Sequence, residues 1–291
     1  MAVQSNPPSL EQGVSIVVPV YNEAENITPF LKELCHTTKA LSYPAEIILV
    51  DDGSTDATST LLPPASVKLI RHEINQGYGA AIKTGIHHST HEALVIIDAD
   101  GTYAAEDIPS LLKLLRQYEM VVGARLGVEA QIPWVRRPVK WIIGHFAAWM
   151  VRRRIPDLNS GLRAFRKSQV LPFIRLLPDG FSLTTTLTVA LMTSGRRVFY
   201  HPIQYRKRGG KSKFRPISDT WNMILTILRT VVLIRPLNVF LPLSLILALL
   251  AVAVLVISKA MGHFMDATFI VLMTTSIQMF VLGLIADLIV R

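Results

Sequence analysis

Cysteine is almost absent: 291 residues hold one, Cys35. A single thiol cannot close an intrachain disulfide, and such usage fits a reducing compartment. Cys35 sits in a helix-like stretch and reads as a core filler. Residues 1–12 lack the apolar centre of a signal peptide, being polar and proline-containing, so the bulk of the chain is expected in the cytoplasm. Acids are scarce: 21 Asp and Glu face 30 Lys and Arg, for a formal charge of +9 and a pI of about 9.8. That balance calls for an anionic partner, and nucleic acid, anionic lipid or a phosphorylated substrate would each fit by charge. Apolar residues are plentiful. They make up 50% of the chain, with a positive mean hydropathy of +0.38, and the excess lies near the C-terminus. The expected organisation is a soluble domain followed by a membrane segment.

The most informative stretch is VIIDADG at 95–101. Its apolar run reads as a strand buried on both faces, as in a parallel sheet, and it ends abruptly in Asp98 and Asp100. Two carboxylates this close repel unless a cation neutralises them. A divalent metal shared with substrate phosphates resolves the conflict, and Mg²⁺ or Mn²⁺ suits one or two carboxylates plus phosphate oxygens. The plain alternative is a solvated turn.

Strands are expected at 14–20, 46–50, 67–70, up to Asp98, at 120–125 and at 197–201. Helices are expected from about 25, from 77, over 109–118, 168–176 and 184–193. This alternation argues for an open α/β, mostly parallel sheet, whose ligands bind beyond the carboxyl ends of the strands. Tyr21, Glu23, Asp52, Asp98, Asp100 and Arg125 all fall at those ends. Gly77 and Gly79 invite a dinucleotide reading, but Ile82 occupies the third glycine position and no acid follows at the required distance.

A helix over 137–154 is apolar on one broad face and basic at both ends. It fits a membrane interface or a core-facing position equally well. Tyr205 opens a glycine-containing loop of basic residues running to Lys213, suited to close approach of a phosphate. Nucleic acid is disfavoured, because no aromatic platform or recognised module accompanies the loop. A second interfacial helix over 215–235 would carry Trp221, Ile224, Leu225, Leu228 and Val232 on one side. The segment 236–291 reads as a hairpin with spans at about 237–257 and 267–290. Arg229, Arg235 and Arg291 on one side, against Lys259 on the other, put the preceding domain in the cytoplasm.

In combination and order, VVPVYNE at 17–23, DDGSTD at 51–56, DAD at 98–100 and DLNSG at 157–161 resemble family-two glycosyltransferases of the GT-A fold. The loop ending in Lys211, Ser212 and Lys213 is similar to that of the polyprenyl-phosphate glycosyltransferases, the group typified by dolichyl-phosphate mannose synthase. The likeness spans about 14–214, after a tail of 1–13. The two-span end is similar to that of several bacterial members.

The resemblance implies metal-dependent, inverting transfer of a hexose from a UDP- or GDP-linked sugar to undecaprenyl or dolichyl phosphate. It implies that Pro19, Tyr21, Glu23, Val50 and Asp52 hold base and ribose. Asp98, Ala99 and Asp100 would take the diphosphate, the two acids binding the metal with Arg125 nearby. Lys213 and either Arg206 or Arg208 would close over phosphate. Dolichyl enzymes carry a metal-binding Gln where this chain has Thr102, leaving that ligand to Thr102 or to water.

A lipid phosphate has a second pKa of about 6 and is largely an anion at neutral pH, so it needs little help from a base. Arg136, Arg137, Lys140, Arg163, Lys211 and Ser212 are the candidates for holding it. Asp157 is a base by analogy with hydroxyl-accepting relatives, or else an arginine-orienting group, the role preferred here. A polysaccharide synthase is the alternative enzyme, but the usual Gln-x-x-Arg-Trp motif and further spans are missing. A non-catalytic membrane scaffold is the alternative outside enzymes. Membrane lipids are expected partners, and self-association is left open.

Overall fold

The computed structural model describes residues 12–61, 63–125, 137–206, 216–261 and 266–290. Seven strands form one sheet: β1 (Val14–Val20), β2 (Ala45–Asp51), β3 (Val67–Arg71), β4 (Ala93–Ile96), β5 (Met120–Ala124), β6 (Arg163–Arg166) and β7 (Val198–Pro202), in the order β3-β2-β1-β4-β6-β5-β7. Only β6 runs against the others, pairing antiparallel with both β4 and β5. All seven residues of β1 are buried, as expected of a central strand whose β-branched side chains pack on both faces. Pro19 is tolerated there because β4 leaves the β1 ladder after Ile97 donates to the Val17 carbonyl. A missing N–H costs nothing where no neighbour is waiting.

Helices α1 (Ile27–Lys39) and α3 (Ile108–Leu114) cover one face, and α2 (Tyr78–His88) and α6 (Leu183–Thr193) the other. The helix expected over 168–176 is instead a four-residue α5 (Lys167–Val170) and a 3-10 turn (Leu171–Phe173). Pro172 sits at that junction, where a missing N–H interrupts the ladder.

Outside α6 lie α4 (Arg137–Val151) and α7 (Pro216–Ile234). Ala147, Met150 and Val151 of α4 pack with Val189 and Met192 of α6 and Met223, Ile227 and Val231 of α7. These buried residues of α7 lie beside the apolar side named in the sequence, from which Leu225 is exposed. Helix α4 takes the core-facing position by one face, while Trp149 stands 57% exposed.

The last two helices, α8 (Leu237–Met261) and α9 (Asp266–Val290), pack on each other. Each contains a 24-residue apolar stretch long enough to cross a bilayer, at 237–260 and 267–290, with 11% of its most apolar window buried. Gly283 lets α9 approach closely, since a Cβ there would press on Phe240. Ser276 adds a hydrogen bond to the Ser244 carbonyl at 2.8 Å.

Candidate active site

The reversed strand explains how the site is assembled. Six strands present their carboxyl ends at one rim, and β6 begins at that same rim, so the 157–161 turn before it is delivered between β4 and β5. This strand was missed in the sequence because RAFR is four residues long and half arginine, an unpromising pattern for burial.

Asp98 and Asp100 follow β4 at the rim. The Tyr78 hydroxyl donates to Asp98 Oδ1 at 2.8 Å. On its other side the Asp98 carboxylate lies against Gly161, where any Cβ would collide with it. Asp100 Oδ1 accepts from the Thr102 hydroxyl at 2.6 Å and the Thr102 amide at 3.1 Å. Thr102 itself is wholly buried. Buried and turned to Asp100, it is read here as the group that aims that carboxylate rather than as a metal ligand.

Asp157 grips Arg125 with both oxygens. Arg125 Nε donates to Oδ2 and Nη2 to Oδ1, each at 2.7 Å, and the Arg125 amide adds a third bond at 3.1 Å. Burial works against the Arg125 charge, but the Asp157 bonds more than offset it and raise the guanidinium pKa. The same guanidinium lies 5.3 Å from the centre of the Tyr205 ring, within cation–π range. Tyr205 pairs with Tyr103 in an isolated β-bridge, and the Arg206 amide donates to the Thr102 carbonyl at 2.9 Å. The root of the basic loop is thus fastened beside the acid pair.

Arg206 is not aimed at a phosphate. Its guanidinium is paired with Glu33 of α1 at 2.8 Å and 3.3 Å, so it anchors the root of the loop. Arg208, Lys211, Ser212 and Lys213, like Arg136, lie outside the described residues. Arg137 and Lys140 belong to α4, with side chains outside the described set.

Arg163 is corrected outright. It is fully buried, donating from Nε and Nη2 to the Ser160 carbonyl and from Nη1 to the Thr184 carbonyl and the Thr188 hydroxyl. Every arm is used inside the protein, so it cannot receive a lipid phosphate. It props the 157–161 turn from below instead.

At the β2 end, Asp52 is 3% exposed. Its oxygens accept from His72 Nδ1 at 2.7 Å, the Gln76 amide at 2.9 Å and the Gly77 amide at 2.8 Å. Through the Gln76 and Gly77 amides it shapes the turn that starts α2 and carries Tyr78. Pro19 and Val50 are register partners and both buried, so what they can offer a ligand is the floor of the rim. Tyr21 and Glu23 sit in a loop stitched to the DGSTD segment. The Asn22 amide donates to Ser54, the Glu23 amide to Thr58 and the Ala24 amide to Asp56. Ala99 is buried between the two acids.

Gly77 and Gly79 are accounted for by packing. The Gly79 and Ala80 amides donate to the Asp179 carbonyl at 2.6 Å and 3.1 Å, and a Cβ at either glycine would strike that segment. Those amides are therefore unavailable to a cofactor phosphate. The residues that the sequence reading overlooked are tyrosines: Tyr78 and Tyr103. Burial, with the Asp98 charge adding to it, raises the pKa of each, which keeps them protonated. The phenol of Tyr78 is a donor to Asp98, and that of Tyr103 accepts the Gly161 amide at 2.8 Å. The tyrosine flanked by Gly77 and Gly79 was the available signal.

The donor set suits a hard divalent cation. Two carboxylates one residue apart are oriented by Tyr78, Gly161 and Thr102, and no group of three acidic, His or Cys ligands occurs among the described residues. Such a pair leaves most of the coordination sphere to ligand phosphate and water, the habit of Mg²⁺ and Mn²⁺.

Known proteins resemble this chain over most of its length. An undecaprenyl-phosphate 4-deoxy-4-formamido-L-arabinose transferase of Edwardsiella ictaluri is 29% identical over 210 residues, covering 70% of this chain and 63% of its own. The chain thus spans less than two thirds of that relative's length. A dodecaprenyl-phosphate galacturonate synthase of Rhizobium johnstonii is 25% identical over 308 residues, covering 99% of this chain and 90% of its own. The solved structure of glucosyl-3-phosphoglycerate synthase from Mycobacterium tuberculosis, with Mn²⁺, uridine diphosphate and phosphoglyceric acid, superposes with a TM-score of 0.57 at 18% identity. It covers 76% of this chain and 78% of its own, and the likeness shows the GT-A fold. The profile of the GtrB C-terminal hairpin matches residues 235–291. That of glycosyl transferase family 2 matches residues 15–171 and takes in every motif gathered at the rim; the chain belongs to that family.

Proposed function

We propose that this protein transfers a sugar from a nucleotide diphosphate to a polyprenyl phosphate at the cytoplasmic face of a membrane. The observation that carries the reading is the attachment of the basic loop. The Arg206 amide is hydrogen-bonded to Thr102, and Thr102 orients Asp100, so the acid pair and the root of the basic segment share one mouth in a chain that carries an apolar hairpin. The names of the relatives support the acceptor class, and the arginines flanking the hairpin support the cytoplasmic side.

Asp98 and Asp100 would hold Mg²⁺ or Mn²⁺ against the donor diphosphate. When bound, that ion neutralises charge developing on the departing nucleoside diphosphate. Tyr78 and Thr102 keep the two carboxylates aimed, so little reorganisation is needed as the donor binds. Tyr21, Glu23 and the Pro19–Val50 floor are assigned to the nucleoside side. Arg125 is assigned to the incoming anion, with Arg208, Lys211, Ser212 and Lys213 of the loop and Arg136, Arg137 and Lys140 before and within α4. Asp157 has both oxygens on Arg125 and is not placed to take a proton, which favours a phosphate acceptor over a sugar hydroxyl.

The test is transfer of labelled sugar from a panel of UDP- and GDP-sugars, with Mn²⁺ or Mg²⁺, to a short-chain polyprenyl phosphate. A lipid-extractable labelled product is expected, and the double substitution Asp98→Asn with Asp100→Asn should abolish it in folded protein. Label found only in a polymer, or activity surviving the double substitution, would refute the assignment.

A further inference from the structure

Arg152, Arg153 and Arg154 follow α4 and are all exposed. The Arg153 guanidinium donates to the Arg196 carbonyl at 3.0 Å, which brings this end of α4 to the turn between α6 and β7. In that turn a Cβ on Gly195 would lie 3.9 Å from the Arg235 guanidinium. Arg235 is exposed at the joint between α7 and α8. Three separate elements therefore converge their cations on one spot, the root of the apolar hairpin. Among the described residues none of these five arginines is ion-paired to a carboxylate. The Arg196 Nε is buried with no hydrogen-bond partner.

Like charges gathered this closely repel, and among the described residues no carboxylate offsets them. The position supplies the missing partner. A hairpin long enough to cross a bilayer begins at Leu237, so Arg235 stands at headgroup height. At an anionic membrane surface each such cation strengthens binding by about fivefold. The cluster is distinct from the acid-pair rim. Helix α6 meets the 157–161 turn near its start, where the Thr185 hydroxyl donates to Asn159, and reaches the cluster at Gly195. Its eleven residues put about 16 Å between them.

We propose that this arginine cluster seats the headgroup phosphates of anionic phospholipids, separately from the sugar acceptor. The exposed Trp149, one turn before Arg153, is a built-in reporter. The full chain is reconstituted in phosphatidylcholine vesicles carrying an equal mole fraction of brominated phosphatidylglycerol or brominated phosphatidylcholine. The emission that Trp149→Phe removes is then followed. The phosphatidylglycerol is expected to quench it roughly twofold more. That preference should fade at high salt, and also in the combined variant Arg152→Gln, Arg154→Gln, Arg235→Gln, with circular dichroism confirming the fold. Equal quenching by the two lipids, or a preference that survives the triple substitution, overturns the proposal. So does displacement of the phosphatidylglycerol by a trace of polyprenyl phosphate, which would make the cluster an acceptor site. Since the readout is quenching, sugar transfer can fail without bearing on it.

Discussion

The carboxylate of Asp98 rests on the α-carbon of Gly161, in a space that any side chain at 161 would occupy. One acid of the pair is thus positioned by a residue 63 places further along the chain. Gly161→Ala should leave secondary structure intact and lower transfer by on the order of a hundredfold, the cost of displacing a reacting group by about an ångström. A full kinetic comparison, with circular dichroism as the folding control, checks this. Near-normal turnover in the alanine variant would show that the close approach is incidental.

Asp157 and Arg125 act as a unit, since each uses the other's full hydrogen-bonding fork. Asp157→Asn, Arg125→Met and the double variant should lose similar amounts of kcat, because paired residues are strongly non-additive. If Asp157 were instead a proton acceptor, its substitution would remove an acid limb from the pH–rate profile. No such change is expected here.

The Glu33–Arg206 pair predicts an acid-dependent loosening of the loop root. Partial burial works against the Glu33 charge, but hydrogen bonds from Arg206 and the Ala105 amide hold its pKa below the ordinary 4.5. A carboxyl with a lowered folded-state pKa stabilises the fold above its unfolded value, and the contribution is lost as pH falls through the folded one. The stability gap between wild type and Glu33→Gln should therefore be constant near neutrality and close as pH falls below 4.5. Thermal melts across that range measure it, and a gap independent of pH would count against the anchor.

Arg163 makes its bonds entirely within the core. Arg163→Met would leave the Ser160 carbonyl and the Thr184 and Thr188 oxygens short of a donor, costing about 2–4 kcal/mol. A lowered melting temperature is expected, together with a fall in kcat through the tilted 157–161 turn. An acceptor KM that rises with stability unchanged would restore the phosphate-binding role.

Much of this site was legible because buried parallel strands announce themselves. Uninterrupted Val and Ile ahead of Asp52 and Asp98 mark both strand and rim, and the rule that ligands gather at carboxyl ends does the rest. What could not be read was which polar side chains turn inward. Asp52 and Arg163 are buried and bonded to groups contributed by distant segments, which no local pattern records, while buried Thr102 turns to Asp100 two residues before it. The two tyrosines beside Asp98 were hidden for the same reason. Tyr78 and Tyr103 reach it only once α2 and the loop after β4 have packed on opposite faces of the sheet.

The reversal of β6 also bears on how the enzyme is born. A chain emerging from the ribosome acquires Asp98 while the turn that bounds it is still unsynthesised, and Arg125 arrives before the carboxylate that grips it. Distant pairings of this kind close late. A nascent or truncated chain ending ahead of 157 would keep Tyr78 and Thr102 for its acids but lack the glycine that bounds Asp98 and the carboxylate that holds Arg125.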